Sequence, residues 1–433
     1  MKRLLSVLFW SVISAAFIGP GTVTTCAAAG ASHGLALLWA LTFSTVACLT
    51  LQEAAARITV VSGRDLGQAL RSHAGSFAVP VVALGVIVLG CAAYEAGNIL
   101  GAVAGASLSL EIPRGALTVI TAVTAGALLW FAAVKTVARL LGVLVAVMGI
   151  AFVVTAVAVA PAAKDLVRGL VVPSFPGESG LLVVGLIGTT VVPYNLFLGS
   201  GLARGQRLGE VRFGLAVAIG LGGLISMGVL VVGTSVTGPF GFAALADALA
   251  ARLGGWAAGL FALGLFAAGL SSAMTAPLAA AVTARSVFGT QDQGRWDERS
   301  GRYRAVWAVV LASGVVFGLT EIQPVPAILL AQVLNGILLP FVAVFLFVLV
   351  NDRRLMGDDG INGLMANALT ALTVGVTVML GTTAVLRAGS TAAGGSAPDP
   401  GIVLAVSGVV TAAIGVWLYV RIRRARSPRS EVS

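Results

Sequence analysis

Two apolar segments of this chain are interrupted near their middles by helix-breaking residues. The first break is Gly19-Pro20-Gly21, and the second is Val192-Pro193-Tyr194-Asn195. A broken helix leaves backbone N–H and C=O groups without intrahelical partners. In hydrocarbon this is tolerated only where the gap is buried in protein or lines a polar cavity. Breaks at corresponding positions of two halves of a chain point to a binding site near the bilayer midplane.

The rest of the sequence supports a membrane setting. Of 433 residues, 58% are apolar and 10% charged, and the mean hydropathy is +1.01. Soluble domains do not have this balance. The 55 glycines suit helices that pack closely in lipid. Windows of about 20 apolar residues give about twelve spans. They fall at 5–31, 35–60, 77–108, 115–134, 138–160, 180–203, 211–236, 255–283, 304–320, 325–350, 362–386 and 402–420. A short interfacial helix is expected over 240–253, and 388–400 reads as a Gly/Ser/Ala/Pro-rich linker. Five spans separate the breaks, so spans 1 and 6 cross in opposite directions. The expected fold is therefore all-α, with a 5+5 inverted repeat resembling LeuT-like carriers. Residues 1–160 form the first repeat and 179–351 the second; 352–433 carry two peripheral spans and a basic tail.

The net charge of +10 is not a nucleic-acid footprint. With loops assigned alternately from a cytoplasmic N-terminus, every Lys and Arg lies on the cytoplasmic side except Arg114, Lys164, Arg168, Arg252 and Arg387. That positive-inside bias places both termini in the cytoplasm of a bacterial inner membrane. The bilayer is the expected partner, with Arg421, Arg423, Arg424, Arg426 and Arg429 near its headgroups. Lys2-Arg3 and the following apolar run imitate a secretory signal ending at Cys26. Apolar character resumes directly after Gly21, however, which favours a span. Cys26, Cys48 and Cys91 lie in apolar segments without CxxC spacing and read as buried thiols. His33 and His73 fall in separate loops and make no metal pair.

The residues around the breaks resemble the Nramp family of divalent-metal transporters. Phe17-Ile-Gly-Pro-Gly-Thr22, Ala28-Ala-Gly30 and Leu37-Leu-Trp39 resemble that family's first two helices. Gly63-Arg-Asp-Leu66 resembles the connector that follows. Pro193-Tyr-Asn-Leu-Phe-Leu-Gly-Ser200 is similar to the sixth helix, and Gly269-Leu-Ser-Ser272 to the eighth. Gln332-Val-Leu-Asn, Leu339-Pro-Phe341 and Asn351-Asp-Arg-Arg-Leu-Met-Gly357 are similar to the tenth and its exit. The resemblance implies a LeuT-like carrier of divalent cations, with the cation as substrate and no cofactor. It departs from the family at the chemistry. The family's Asp-Pro-Gly-Asn is here Gly19-Pro20-Gly21-Thr22, and its Met-Pro-His is Val192-Pro193-Tyr194. A later first-helix Asp corresponds to Cys26, the eighth-helix Gln to Leu270, and the second sixth-helix His to Gly199.

The oxygens left for a solute are neutral and hard. They are the carbonyls near Gly19, Val191 and Val192, the Thr22 hydroxyl, the Asn195 and Gln332 amides, and Tyr194. Gly21 completes the expected substrate surface, with Thr22 and Asn195 as candidate metal ligands. No thioether remains to select Mn²⁺ or Fe²⁺, and a dehydrated divalent ion finds no carboxylate there. Glu95 is the one acid well inside a span, and Asn98 shares its helix face at i+3. An intramembrane acid is a functional candidate by default, and a hydrogen-bonded structural Glu is the alternative. Glu53 with Arg57 at i+4 reads as a structural ion pair. Pro277 and Pro340 read as plain kinks. Ser271, Ser272 and Thr275 are expected to bond back to helix carbonyls.

No nucleophile–base pair, metal triad or phosphate loop suggests an enzyme. Three functions stand. The first is an Nramp-like cation carrier working by alternating access, with altered selectivity and weak or absent proton coupling. The second is a LeuT-fold carrier of a neutral or zwitterionic molecule such as an amino acid, received by the Gly-rich break. The third is a non-transporting scaffold or sensor.

Overall fold

The computed structural model describes residues 18–73, 78–131, 134–289, 293–392 and 398–426. The expected first half of span 1 lies outside them, as do residues 290–292, part of the 388–400 linker and Arg429. Every regular element among the described residues is helical.

Pro20 opens α1 (Pro20–His33), and Gly19 before it is extended at φ −106° and ψ −176°. Proline suits a first helical position because its missing N–H is unbonded there anyway. A 3₁₀ turn, Gly34–Leu37, leads to α2 (Leu38–Ser62), which Gly63 ends at φ +69°. The left-handed conformation required there is one glycine adopts without penalty. The short α3 (Leu66–His73) precedes α4 (Ala78–Ser107), α5 (Arg114–Trp130) and α6 (Val134–Val159). A surface helix absent from the sequence reading, α7 (Ala163–Val171), leads to α8 (Gly180–Thr190) and α9 (Pro193–Leu202). Next come α10 (Leu208–Gly233), the expected interfacial α11 (Phe242–Leu253), α12 (Trp256–Phe288), α13 (Gly301–Leu319) and α14 (Pro324–Leu349). The chain ends with α15 (Arg353–Gly360), α16 (Leu364–Ala392) and α17 (Pro400–Arg426).

Ten helical runs among the described residues are long and apolar enough to cross a membrane. The first of these bends at Gly34–Leu37 into α1 and α2, and α5 adds a shorter apolar helix. Together they account for the twelve windows of the sequence. Helices α12 and α14 run unbroken through Pro277 and Pro340.

Helix α4 is the axis of the bundle, packed against α12, α13 and α14, while α16 and α17 lie outside α14. Close approach depends on glycine. A Cβ on Gly188 of α8 would sit 2.1 Å from the Gln332 carbonyl, and one on Gly336 of α14 would sit 2.4 Å from the Val184 carbonyl. This pair of contacts presses the first half of the second broken helix onto α14, as small residues do in lipid.

The ends of the helices that carry most of the arginines are cross-linked by polar contacts. Arg57, 5% exposed, holds both Glu53 oxygens at 3.1 and 3.2 Å through Nε. Arg212 of α10 also holds Glu53, at 2.8 Å. The expected Glu53–Arg57 pair is therefore present and part of a larger set. Asp65 accepts from Ser286 of α12 and pairs with Arg204 at 3.3 Å. His73 Nε2 lies 3.7 Å from Asp352. At the surface Arg353 bonds Asp358 and holds its carboxyl below the usual carboxylate range.

Candidate functional site at the paired breaks

The second break is a true interruption. Val191 (φ −103°, ψ 80°) and Val192 (φ −83°, ψ 120°) leave helical geometry between α8 and α9. Pro193 then restarts the helix, and the Asn195 N–H donates to the Val192 carbonyl at 3.0 Å. The start of α1 and the end of α8 touch: the Thr22 and Thr189 hydroxyls are 2.9 Å apart.

Four further helices close around them. Gln332 of α14 lays its amide over Gly21, where a Cβ would be 2.2 Å from its Nε2. Gly101 of α4 admits the Pro20 ring, 2.1 Å from where its own Cβ would lie. Ser272 Oγ of α12 stands 3.0 Å from the position of a Cβ on Gly19, and Asn98 Oδ1 of α4 stands 4.0 Å from it. Gln52 of α2 donates through Nε2 to the Asn195 carbonyl at 3.0 Å. Tyr94 and Tyr194 meet edge to face with centroids 5.5 Å apart. The Asn98 Nδ2 donates to Glu95 Oε2 at 3.3 Å.

All of the candidates are therefore buried, and most lie at one locus: Gly19, Gly21, Thr22, Val191, Val192, Tyr194, Asn195 and Gln332, with Asn98 linking Glu95 to the Gly19 side. One expectation is corrected. Ser271 and Thr275 do bond back, to Ala268 at 3.0 Å and Ser271 at 2.8 Å. Ser272 does not: its Oγ has no partner and faces the space left by Gly19, because α12 turns that position toward α1. Residues that the sequence reading did not single out also stand here, namely Gln52, Tyr94 and Thr189. Glutamine and tyrosine inside apolar windows were the available signal.

A membrane interior normally leaves few polar groups unpaired. Here the buried atoms without a partner include Gln52 Oε1, Glu95 Oε1, Asn195 Oδ1, Gln332 Oε1 and Asn335 Oδ1, with the Tyr94, Tyr194 and Ser272 hydroxyls. Five are carbonyl or carboxyl oxygens, so the shortage is of donors or cations. Among the described residues no three His, Cys, Asp or Glu are grouped to hold a metal, and all three cysteines are buried and free. A small apolar pocket bounded by Leu70, Phe197, Phe341 and Phe345 lies nearer the arginine-rich end and offers an ion no ligand.

Comparison with known proteins follows the same lines. A divalent metal cation transporter MntH of Acidiphilium cryptum is 28% identical over 395 residues, 87% of this chain and 88% of that protein. The namesake from Verminephrobacter eiseniae is 32% identical over 237 residues, 51% of this chain and about half (53%) of that relative. A crystal structure of a mutant Eremococcus coleocola manganese transporter superposes with a TM-score of 0.73 at 21% identity, covering 98% and 95% of the two chains. That likeness gives the fold, an all-α LeuT-like membrane architecture. The family model described as natural resistance-associated macrophage protein-like matches residues 11–387. This multi-pass membrane protein belongs to the Nramp family.

Proposed function

We propose that the chain is a secondary transporter that carries a divalent metal cation by alternating access, retaining part of the ion's hydration shell. Membership of a transporter family supports transport. The observation that carries the cargo's state is the excess of unpartnered acceptor oxygens around the breaks. Waters on a cation present hydrogens outward, and these are the donors that Asn195 Oδ1, Gln52 Oε1 and Gln332 Oε1 lack. The surface of Gly19, Gly21, Thr22, Val191, Val192, Tyr194, Asn195 and Gln332 has neither carboxylate nor thioether. A fully dehydrated divalent ion there costs on the order of tens of kcal/mol, and no sulfur favours Mn²⁺ or Fe²⁺ over harder ions. Selectivity therefore shifts toward a hard, hydrated cation of the Mg²⁺ kind, with weak or absent proton coupling. Thr22 and Asn195 meet the hydrated ion, Asn195 by accepting from its waters.

In this reading α1, α2, α8, α9 and α10 rock against α4–α6 and α12–α14, within repeats spanning 1–160 and 179–351. The arginine-rich side faces the cytoplasm of a bacterial inner membrane. The test is calorimetry on purified protein with Mg²⁺, Mn²⁺ and Ca²⁺, paired with uptake into liposomes. Saturable heat and uptake with a hard divalent ion are expected. Silence across the millimolar range, alongside an amino-acid-dependent thermal shift, would overturn the metal in favour of a zwitterionic cargo.

A further inference from the structure

We propose that Asn98 and Ser272, which face Gly19, together with the Glu95 carboxyl bonded to Asn98, form a binding site for a monovalent alkali cation on the α4 and α12 side of Gly19. Ser272 departs from its neighbours. Its neighbours Ser271 and Thr275 bond back to their own helix, as serine and threonine do when nothing else is offered. Ser272 is fully buried, yet its hydroxyl has no partner. It stands 3.0 Å from the point where a Gly19 Cβ would be.

Asn98 faces the same point from α4, with Oδ1 at 4.0 Å. Its orientation has a cause: Nδ2 donates to Glu95 Oε2 at 3.3 Å, which turns the carbonyl oxygen toward Gly19. The second carboxyl oxygen of Glu95 is buried and has no partner either. No Lys, Arg or His is paired with Glu95 among the described residues. An amide carbonyl and a hydroxyl therefore face one extended stretch of backbone, and the Glu95 carboxyl is joined to that amide on its other side; the hydroxyl and one carboxyl oxygen lack any partner. All are hard oxygens, the donor set of alkali and alkaline-earth ions rather than of transition metals. Charge chooses between those two groups. One carboxylate neutralises one positive charge, whereas a divalent ion would leave a net charge buried in low dielectric.

The ion would join α1 to α4 and α12, which belong to different bodies in the rocking motion proposed above. A role as coupling ion rests on that transport reading; binding does not. The test uses purified full-length protein without divalent metal at fixed pH. Thermal unfolding is followed by tryptophan fluorescence in NaCl, LiCl or KCl against choline chloride at equal ionic strength. A saturable rise of the midpoint with at least one alkali ion is expected, since a ligand that binds only the folded state stabilises it. Ser272→Ala and Glu95→Gln should each raise the half-saturating concentration tenfold or more. Identical curves in choline and all three alkali salts overturn the site, as does an alkali response untouched by Ser272→Ala. That serine change removes one hydroxyl, so it decides the matter even where Glu95→Gln fails to fold. Liposome uptake separates the two ideas. Alkali stabilisation without divalent uptake sinks transport and spares the site, and uptake without an alkali response does the reverse.

Discussion

The hydroxyls of Thr22 and Thr189 stand 2.9 Å apart and tie α1 directly to α8. Each belongs to the helical half beside its break, so the contact fixes the spacing of the two unwound segments. Thr189→Val keeps the shape and removes the hydroxyl. Interhelical hydrogen bonds in membranes contribute about 1 kcal/mol, so a loss of that size in thermal unfolding is expected, with a changed initial rate of metal uptake. Unaltered stability and unaltered uptake together would show that the bond does not hold the breaks in register.

Gly21 and Gln332 make a second constraint. A methyl on Gly21 would fall 2.2 Å from Nε2 and 2.6 Å from Cδ of Gln332, distances that force the amide off the break. Gly21→Ala should fold, because residue 21 is helical, but lose most uptake. Adding Gln332→Ala makes room for the methyl. If uptake in the double variant stays below that of Gln332→Ala alone, the glycine acts through something other than this amide.

These two sites show what the sequence made legible. Pro20 and Pro193 sit at first helical positions, and proline there is a strong local signal, so the second break and the start of α1 were readable. The third dimension was not. Ser272 obeys the same local chemistry as Ser271, and only the rotation of α12 against Gly19 separates them. Gln52 precedes Glu53 near a span's end and reads as interfacial, yet it is 1% exposed and bonds the Asn195 carbonyl. Thr189 looks like one more small residue until α1 is laid beside it. The α7 helix was missed because nine residues of mixed polarity carry too little periodicity.

Gly19 allows a gain-of-function test. Its backbone, at φ −106°, suits any side chain, and the nearest obstacle is the Ser272 hydroxyl, which can rotate away. Gly19→Asp would supply the carboxylate that the resemblance implies for this position in the family. Charge neutralisation in a buried site then favours dehydrated divalent ions. Mn²⁺ affinity measured by calorimetry should rise at least tenfold. If the affinity is unchanged while the protein remains folded, the cargo does not approach residue 19.

Arg57 and Asn362 carry the last prediction. Arg57 donates through one terminal nitrogen to the Gly360 carbonyl and through the other to Asn362 Oδ1, while Glu53 balances its charge. Asn362 is fully used: its carbonyl accepts from Arg426 at the end of α17, its Nδ2 donates to Asn367 at 3.1 Å, and its N–H donates to Val350 at 3.2 Å. Its side chain thus joins α2 to α16, while its backbone N–H reaches the exit of α14 and its backbone carbonyl the last turn of α17. Asn362→Ala leaves a buried guanidinium short of an acceptor, a loss of about 2–3 kcal/mol. Arg57→Met replaces the charge with an apolar chain of similar length and leaves no unpaired cation, so it should cost less. Thermal unfolding of the two variants decides the order. A larger loss for Arg57→Met would mean that the arginine contributes more by its contacts than it costs by its burial.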